Sequence, residues 1–412
     1  MSSILSRLRD ELSFIRGNLL VLIVSYMMFR FSGGLVGSFY SLYVRELGAT
    51  PFVLGLIGSL GSAILAFVRI PGAYIADRYG RKNIIVVFTY GAALSFLIYS
   101  LAPDWRFIVV ATFMSNLCNV YLPALEALEA DSIPLERRGM GYASTQVLPH
   151  ITVIVAPLVS GYFVETMGLV PGMRVTYIVA LVGGLLAAVT RTFFLRETLE
   201  TSERVRQGDL REVFTESFHS ISEVWRVMPR NVKYFTVAML ILSFQGPFFG
   251  MFHALYANDV VGVKRFQWSF MSTVNMLIGL VLGIPVGRLI DAIGRKRSML
   301  LRFLFSTPVV VLMVFSRGFL QHLVVIILFA VSGTFFPAFR ALQADMIPRE
   351  ARGRVLGVIG TLRILATVPS AALGGLLYQT HPALPFALAI VLQLISVSII
   401  YFKVQEPSVQ EV

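Results

Sequence analysis

One cysteine, five histidines and few carboxylates leave this 412-residue chain little material for metal or disulfide chemistry. Cys118 stands alone, which excludes an intramolecular disulfide and any multi-cysteine metal site. The histidines are scattered, and no paired deep carboxylates or nucleophile–base motif accompany them, so neither an enzyme nor a metal or other cofactor is expected. No P-loop occurs, which argues against ATP hydrolysis as an energy source. The opening residues lack the layout of a signal peptide. Charge itself is scarce: charged residues are 14% of the chain and hydrophobic ones 56%, too apolar for an ordinary soluble domain.

What fills the chain instead is a succession of apolar stretches, each near the ~20 residues that cross a bilayer. They lie at 18–43, 52–76, 84–102, 107–129, 142–165, 172–194, 234–257, 266–290, 298–316, 319–343, 355–379 and 384–403. The expectation is an all-α integral membrane protein of twelve transmembrane helices in two six-helix bundles, 18–194 and 234–403. Residues 1–17 carry Ile4, Leu5, Leu8, Leu12 and Ile15 beside Arg7, Arg9 and Arg16, the pattern of a short interfacial helix. The polar segment 195–233 separates the halves and repeats Leu210, Phe214, Phe218, Ile221 and Trp225 at helical spacing, as an amphipathic linker helix would. Residues 404–412 form a tail.

Basic residues set the expected orientation. With a cytoplasmic N-terminus, the inner side holds Arg78, Arg81, Lys82, Arg137, Arg138, the basic linker, Arg295, Lys296, Arg297, Arg349, Arg352 and Arg354, while the outer side holds only Arg45, Arg106, Arg174, Lys264, Arg265 and Arg317. Both termini are then cytoplasmic, in a multi-pass protein of the cell (plasma or inner) membrane. The net charge of +12 sits where an anionic inner leaflet attracts it, so nucleic acid is not an expected partner, and a monomer in the lipid bilayer is.

The chain also repeats itself. Residues 71–82 (PGAYIADRYGRK) return as 285–296 (PVGRLIDAIGRK), and 123–139 (PALEALEADSIPLERRG) as 337–353 (PAFRALQADMIPREARG), with 11 of 17 positions identical in the second pair. Both pairs are offset by 214 residues, so the repeating unit is half the chain. Asp77, Arg78, Gly80, Arg81, Lys82, Asp131 and Arg138 in the first half answer to Asp291, Gly294, Arg295, Lys296, Asp345 and Arg352 in the second. Such clustered charges latch helices together. The clusters suit either a conformational latch or a static salt-bridge network.

Ionisable groups inside a membrane are costly and face a partner or a wet cavity. Counting inward, Arg30 lies ~18 Å from the cytoplasmic end of its span, and His150 and Arg363 ~13 Å from theirs. No Asp or Glu lies as deep; Glu126 and Glu129 are near the inner end of the fourth span, and with His150 they are the candidates to carry a proton. Gln146 shares a face with His150, Gln245 precedes the kink at Gly246-Pro247, and Asn116, Asn119 and Asn275 are other membrane-depth polar groups. The candidate substrate-binding set is Arg30, Asn119, Gln146, His150, Gln245, Asn275 and Arg363, an electropositive set that fits an anionic or polar solute. For each residue, helix-to-helix bonding is the competing role. Arg69 is expected to reach the interface.

With these residues in place, the chain resembles a transporter of the major facilitator superfamily (MFS). That family's loop signature, G-x-x-x-D-[RK]-x-G-[RK]-[RK], is matched by Gly287, Asp291, Gly294, Arg295 and Lys296, with Ala292 at the usual basic position. In the first half Asp77, Arg78, Gly80, Arg81 and Lys82 match, with Ala73 where glycine is usual. The opening FRFSGGLVGSFYSLYVRELGAT is similar to the first span of drug-efflux-like and related prokaryotic members. Two efflux signatures depart: Ala111 stands where proton-coupled drug antiporters carry an arginine, and Ala156, Pro157, Ser160 and Gly161 only partly follow the family's G-P-x-x-G-G element.

The resemblance implies alternating access of two bundles around a central site. The expected function is secondary active or facilitative transport of a small organic solute, with a proton or other ion as possible partner and antiporter or uniporter both open. The alternatives are a proton-coupled multidrug efflux antiporter and, from a different class, a non-transporting membrane sensor or scaffold.

Overall fold

A computed structural model describes residues 14–199 and 221–406, excepting the side chains of Ile70, Ala73, Asp77, Arg349 and Glu350. The stripe at Ile4–Leu12 and the linker positions Leu210, Phe214 and Phe218 lie outside the described residues. Within them are twelve helices long and apolar enough to cross a membrane, and no strand. Helices prevail because lipid offers backbone N–H and C=O groups no partner.

The spans are α1 (Asn18–Gly37), α2 (Pro51–Tyr79), α3 (Arg81–Leu101), α4 (Trp105–Ser132), α5 (Leu135–Met167), α6 (Leu169–Phe194), α7 (Arg230–Asp259), α8 (Arg265–Ile293), α9 (Arg295–Phe315), α10 (Gly318–Asp345), α11 (Arg349–Thr380) and α12 (Leu384–Lys403). Several start earlier than hydropathy indicates: α3 begins at Arg81 and α9 at Arg295, so the GRK cations form first turns and not loops. Gly80 and Gly294 make those joints possible. Each ends one helix and opens the next at φ 90° and 91°, where a Cβ would be strained.

The first helix of every three is discontinuous. α1 breaks before a short helix at Tyr40–Glu46, α4 at a 3₁₀ turn (Asn119–Tyr121) ahead of Pro123, α7 at Gln245 ahead of Pro247, and α10 at Thr334–Phe336 ahead of Pro337. Each proline removes a donor and frees a carbonyl at membrane depth.

Even numbers of spans per half put the start of α1, the described part of the linker and the end of α12 on one face, termed terminal; the other face is distal. The packing differs between the two. One large apolar cluster joins both halves distally, from Phe39, Tyr43 and Tyr177 to Phe252, Tyr256 and Phe386. On the terminal side each half keeps its own core, Leu22–Tyr121–Leu128 in the first and Phe235–Phe303–Phe339 in the second. Val224 and Met228, at the end of the linker, are buried in the latter, with Ile221 and Trp225 against it.

The halves meet along α2 against α11 and α5 against α8. A Cβ on Gly55 would strike the carbonyl of Ala371, one on Gly375 that of Pro51, and one on Gly161 the Oγ of Ser269. Gly55 and Ser269 are register mates across the repeat, as are Gly161 and Gly375, so the two crossings are one contact made twice. Toward the terminal face the same helices lose cover: a Cβ on Gly283 or Gly287 of α8, or on Gly353 or Gly357 of α11, would meet nothing within 4 Å. The molecule is closed distally and open terminally.

Candidate functional site

Three tiers of polar groups lie along the opening. On the terminal face, Arg81 pairs with Asp131, and Arg295 Nε lies 2.7 Å from Asp345. Each pair is braced by an acid that caps the following helix: Glu197 accepts from the Lys82 backbone N–H at 3.0 Å, and Glu406 from that of Arg295 at 2.8 Å. An asparagine at the start of each half completes the arrangement. Asn18 exchanges two bonds with the Arg196 backbone (2.7 and 2.9 Å), and Asn231 exchanges two with Gln405 (2.8 Å each).

All of these bonds join helices of a single half. Asp291 is exposed and makes no ion pair among the described residues, and Arg138 is also exposed. Arg78 lies over its neighbour Tyr79, Lys296 Nζ donates to the Tyr401 carbonyl, and Arg352 donates to the Ile347 carbonyl. Gly80 and Gly294 are the two helix joints described above. The asparagine clamp and the two capping acids were missed from the sequence because asparagine and glutamate beyond a span carry no hydropathy signal.

In the middle tier the structure brings together three of the anticipated residues. Arg30 Nη2 donates to Gln146 Oε1 at 2.9 Å, and Nη1 lies 3.2 Å from His150 Nδ1. The same Nδ1 lies 2.7 Å from the Gln146 carbonyl. These two contacts require opposite tautomers: arginine only donates, so Nδ1 must accept from it, yet Nδ1 must carry hydrogen to bond a carbonyl. His150 lies three turns from Gly161, on the α5 face that meets α8, and so turns toward the gap where the halves part.

Arg363 stands across from this cluster, donating from Nε to Ser243 Oγ at 2.8 Å, with Arg340 of α10 as its charged neighbour. Ser370 bonds the Phe244 carbonyl, so α11 holds the last turn before the α7 break. There Gln245 is nine-tenths buried and its Oε1 has no partner. Asn119, at the α4 break, and Asn275, on α8, are half-buried. Asn116 bonds its own helix at Thr112.

Arg69 has an acidic partner. It reaches Glu126 at 3.0 Å, the two side chains 41% and 61% exposed, on the α2 face that carries Gly58. Glu129, one turn on, lies near the terminal end of α4 as expected and is buried, accepting from Tyr26 (2.9 Å) and Thr145 (2.5 Å). Two further cations, the buried Arg191 and the part-buried Arg302, were also overlooked. Arg191 bonds Ser25 and Thr89 and lies over Tyr26 and Tyr121, and Arg302 lies among Phe303, Phe336 and Phe339. Both sit near a span end, where a lone arginine reads as an interface anchor.

The distal tier crosses between halves. Arg45 pairs with Asp259 and donates to Asn258 at 3.2 Å, while Tyr378 donates to the same aspartate at 3.1 Å. Trp268 Nε1 donates to the Ser38 carbonyl, and Ser59 bridges the Val368 carbonyl and the Ala372 N–H. Arg45 and Asp259 are themselves 214 residues apart, the repeat offset, a signal in the sequence that could have found them. Behind Trp268, His253 and His322 form a buried pair with Nε2 atoms 3.1 Å apart, so one ring donates and the other accepts. Among the described residues no group of three or more His, Cys, Asp or Glu could hold a metal ion.

Two pseudo-equivalent bundles, broken helices at their centre and a one-sided opening are the architecture of a membrane transporter. The chain belongs to the Major Facilitator Superfamily, whose sequence pattern matches residues 22–264 and 235–412. It is 24% identical to Multidrug resistance protein 2 of Bacillus subtilis (strain 168) over 76% of each chain. Multidrug resistance protein MdtG of Salmonella arizonae is 23% identical over 84% of this chain and 85% of that one. In fold it is similar to a bacterial homolog of the human lysosomal transporter Spinster in an inward-facing, occupied conformation, with TM-score 0.69, 13% identity, and 93% and 95% of the two chains covered. The protein is a multi-pass membrane transporter and not an enzyme.

Proposed function

We propose that this protein moves a small organic solute with an anionic or strongly hydrogen-bonding group by alternating access, as a monomer. The observation that carries the reading is the charge of the middle tier. Among the described residues Arg30 and Arg363, half-exposed at membrane depth, bond only neutral groups, and Arg340 adds a third cation that makes no ion pair. An anion between them gains charge-assisted bonds at little desolvation cost, because the gap is already open to water. Asn119, Gln146, His150, Gln245 and Asn275 complete the proposed site, the orphan Gln245 Oε1 accepting from a donor on the solute.

The basic-residue bias makes the terminal face cytoplasmic, with both termini inside the inner membrane. The opening then faces the cytoplasm. The terminal clusters serve as the inner latch when the distal face opens, with the exposed Asp291 as an acid able to cross between halves. His150, Glu126 and Glu129 are the candidates for a coupling proton, and the contacts of His150 Nδ1 with Arg30 and the Gln146 carbonyl support His150 in that role.

The test is a thermal-stability screen of purified protein with anionic, neutral and cationic solutes, since a ligand of the folded state raises its melting temperature. Anionic solutes are expected to stabilise the wild type and to lose that effect in Arg30→Ala and Arg363→Ala. Stabilisation by lipophilic cations alone would overturn this reading in favour of proton-coupled multidrug efflux. That second reading draws on the relatives' names and on Glu126, a half-exposed carboxylate at the opening.

A further inference from the structure

The second half carries a feature on its membrane-facing wall that transport does not explain. Between α9 and α12, in the leaflet of the terminal face, lies a groove of about 790 Å³. Its walls are Leu300, Leu301, Leu304 and Pro308 of α9 with Leu394 and Val397 of α12, almost wholly apolar. Two clasps bound it. At its deep end Gln393 of α12 bonds Ser306 and, at 2.9 Å, Thr307. At its terminal end Lys296 Nζ bonds the Tyr401 carbonyl at 3.0 Å. From Arg297 to Pro308 the groove runs ~16 Å along α9, about half of a ~30 Å hydrocarbon core.

Arg297 lines its terminal end. It is exposed and makes no hydrogen bond or ion pair among the described residues. Lys296 stands beside it and Lys403 at the end of α12, whereas Arg295 is neutralised by Asp345 and Glu406 is committed to a helix N-terminus. The opposite half shows that the groove is not obligatory to the fold. There Asn83 occupies the register of Arg297, Tyr90 that of Leu304, and Leu94 that of Pro308. Tyr90 reaches across to Thr192 of α6 at 3.3 Å, and Ala93 packs directly on Gly184. The first half fills the space that the second leaves open below a proline bend.

We propose that this groove is a binding site for an anionic glycerophospholipid of the terminal-face leaflet. One acyl chain lies along α9 and α12, and the phosphate meets Arg297 and Lys296. Groove length matches one leaflet, the walls match hydrocarbon, and among the described residues that line it the one charged side chain is the cation Arg297. The occupant is a lipid and not a free anion, because a phosphate alone would leave the apolar trough uncovered.

The experiment titrates purified protein in detergent with phosphatidylglycerol, phosphatidylethanolamine or inorganic phosphate, reading melting temperature and retained lipid by native mass spectrometry. Wild type should be stabilised most by phosphatidylglycerol and should keep it bound. Arg297→Ala should weaken that apparent affinity about fivefold, the value of one basic residue near a charged surface. Leu304→Trp, which fills the trough and keeps the charge, should weaken it as well. Equal protection of wild type and both variants overturns the proposal, as does equal protection by the zwitterionic lipid or by phosphate. A concentration-dependent dimer that Leu304→Trp abolishes would assign the groove to a second copy of the chain and would equally overturn it. Should Leu304→Trp fail to fold, Leu394→Trp tests the same trough from α12.

Discussion

The two halves keep one scaffold and diverge at the centre. At the terminal face they agree almost bond for bond: an Arg–Asp pair, a glutamate capping the next helix and an asparagine clamping the chain beyond the sixth span occur in each. At the distal crossings they agree again, Gly55 on Gly375 and Gly161 on Ser269. Around the middle they part. Phe244, Gly360 and Ile364 hold the register positions of Arg30, Gln146 and His150, and Pro149 holds that of Arg363. Glu126 is mirrored by Arg340, and Arg45 faces its own register mate Asp259. Moving two bundles as units requires internal bracing in both, hence sameness at the ends. In the proposed site, an asymmetric solute needs different groups on its two sides, which fits the difference in the middle.

The comparison can be tested at its strongest point first. Gly55→Leu and Gly161→Leu should each block distal closure, since the added side chain meets backbone or Ser269 directly. Overpacking costs ~1–3 kcal/mol, and a switch biased at the upper end loses up to ~150-fold in function. Transport assays and labelling of a cysteine placed at Ser38 should report the same effect for both. If one variant transports normally, the two crossings are not equivalent.

Next comes the divergent centre. Arg30→Ala should reduce solute affinity ~10–100-fold, the worth of a charged hydrogen bond, whereas Phe244→Ala at the same register should change it less than about twofold. Calorimetric titration decides this, and equal losses would show that recognition does not follow the asymmetry.

Smaller effects belong to the ion pairs. Arg45 and Asp259 are about 30% exposed, at 29% and 30%, so a double-mutant cycle should yield ~0.2–1 kcal/mol of coupling. Arg45→Asp with Asp259→Arg should restore distal closure that either single change loosens. The smallest shift is expected from Asp131→Asn and Asp345→Asn. Each breaks a pair inside one half, so each should lower thermal stability by about 1 kcal/mol or less and leave labelling at Ser38 unchanged. A change in that labelling from either would show that the terminal pairs bias the switch in the present state.

Hydropathy, the 214-residue offset and the paired GRK and PALEALEAD elements made twelve helices, two equal halves and the family readable before any fold was known. Part of the centre was readable too, because Gln146 and His150 share a face by spacing alone and an arginine at the depth of Arg30 needs a partner nearby. The burial of Glu129 by Tyr26 and Thr145 was not readable, since those groups come from three helices whose rotations the pattern leaves open. Nor was the pairing of Arg69 with Glu126, or the His253–His322 contact, each between residues 57 and 69 positions apart.

The sequence by itself determined how many helices cross the membrane and that they come in two related sets. A bilayer enforces those outcomes on any chain with this run of apolar residues, because unsatisfied backbone in lipid is too costly. Only the tertiary structure decided which face is closed, that the ion pair between halves is Arg45–Asp259 at the distal side, and that the terminal charges brace each half within itself. Those depend on helix crossings set by glycines packing against backbone, a short-range steric fit between residues more than 200 positions apart that no local pattern encodes.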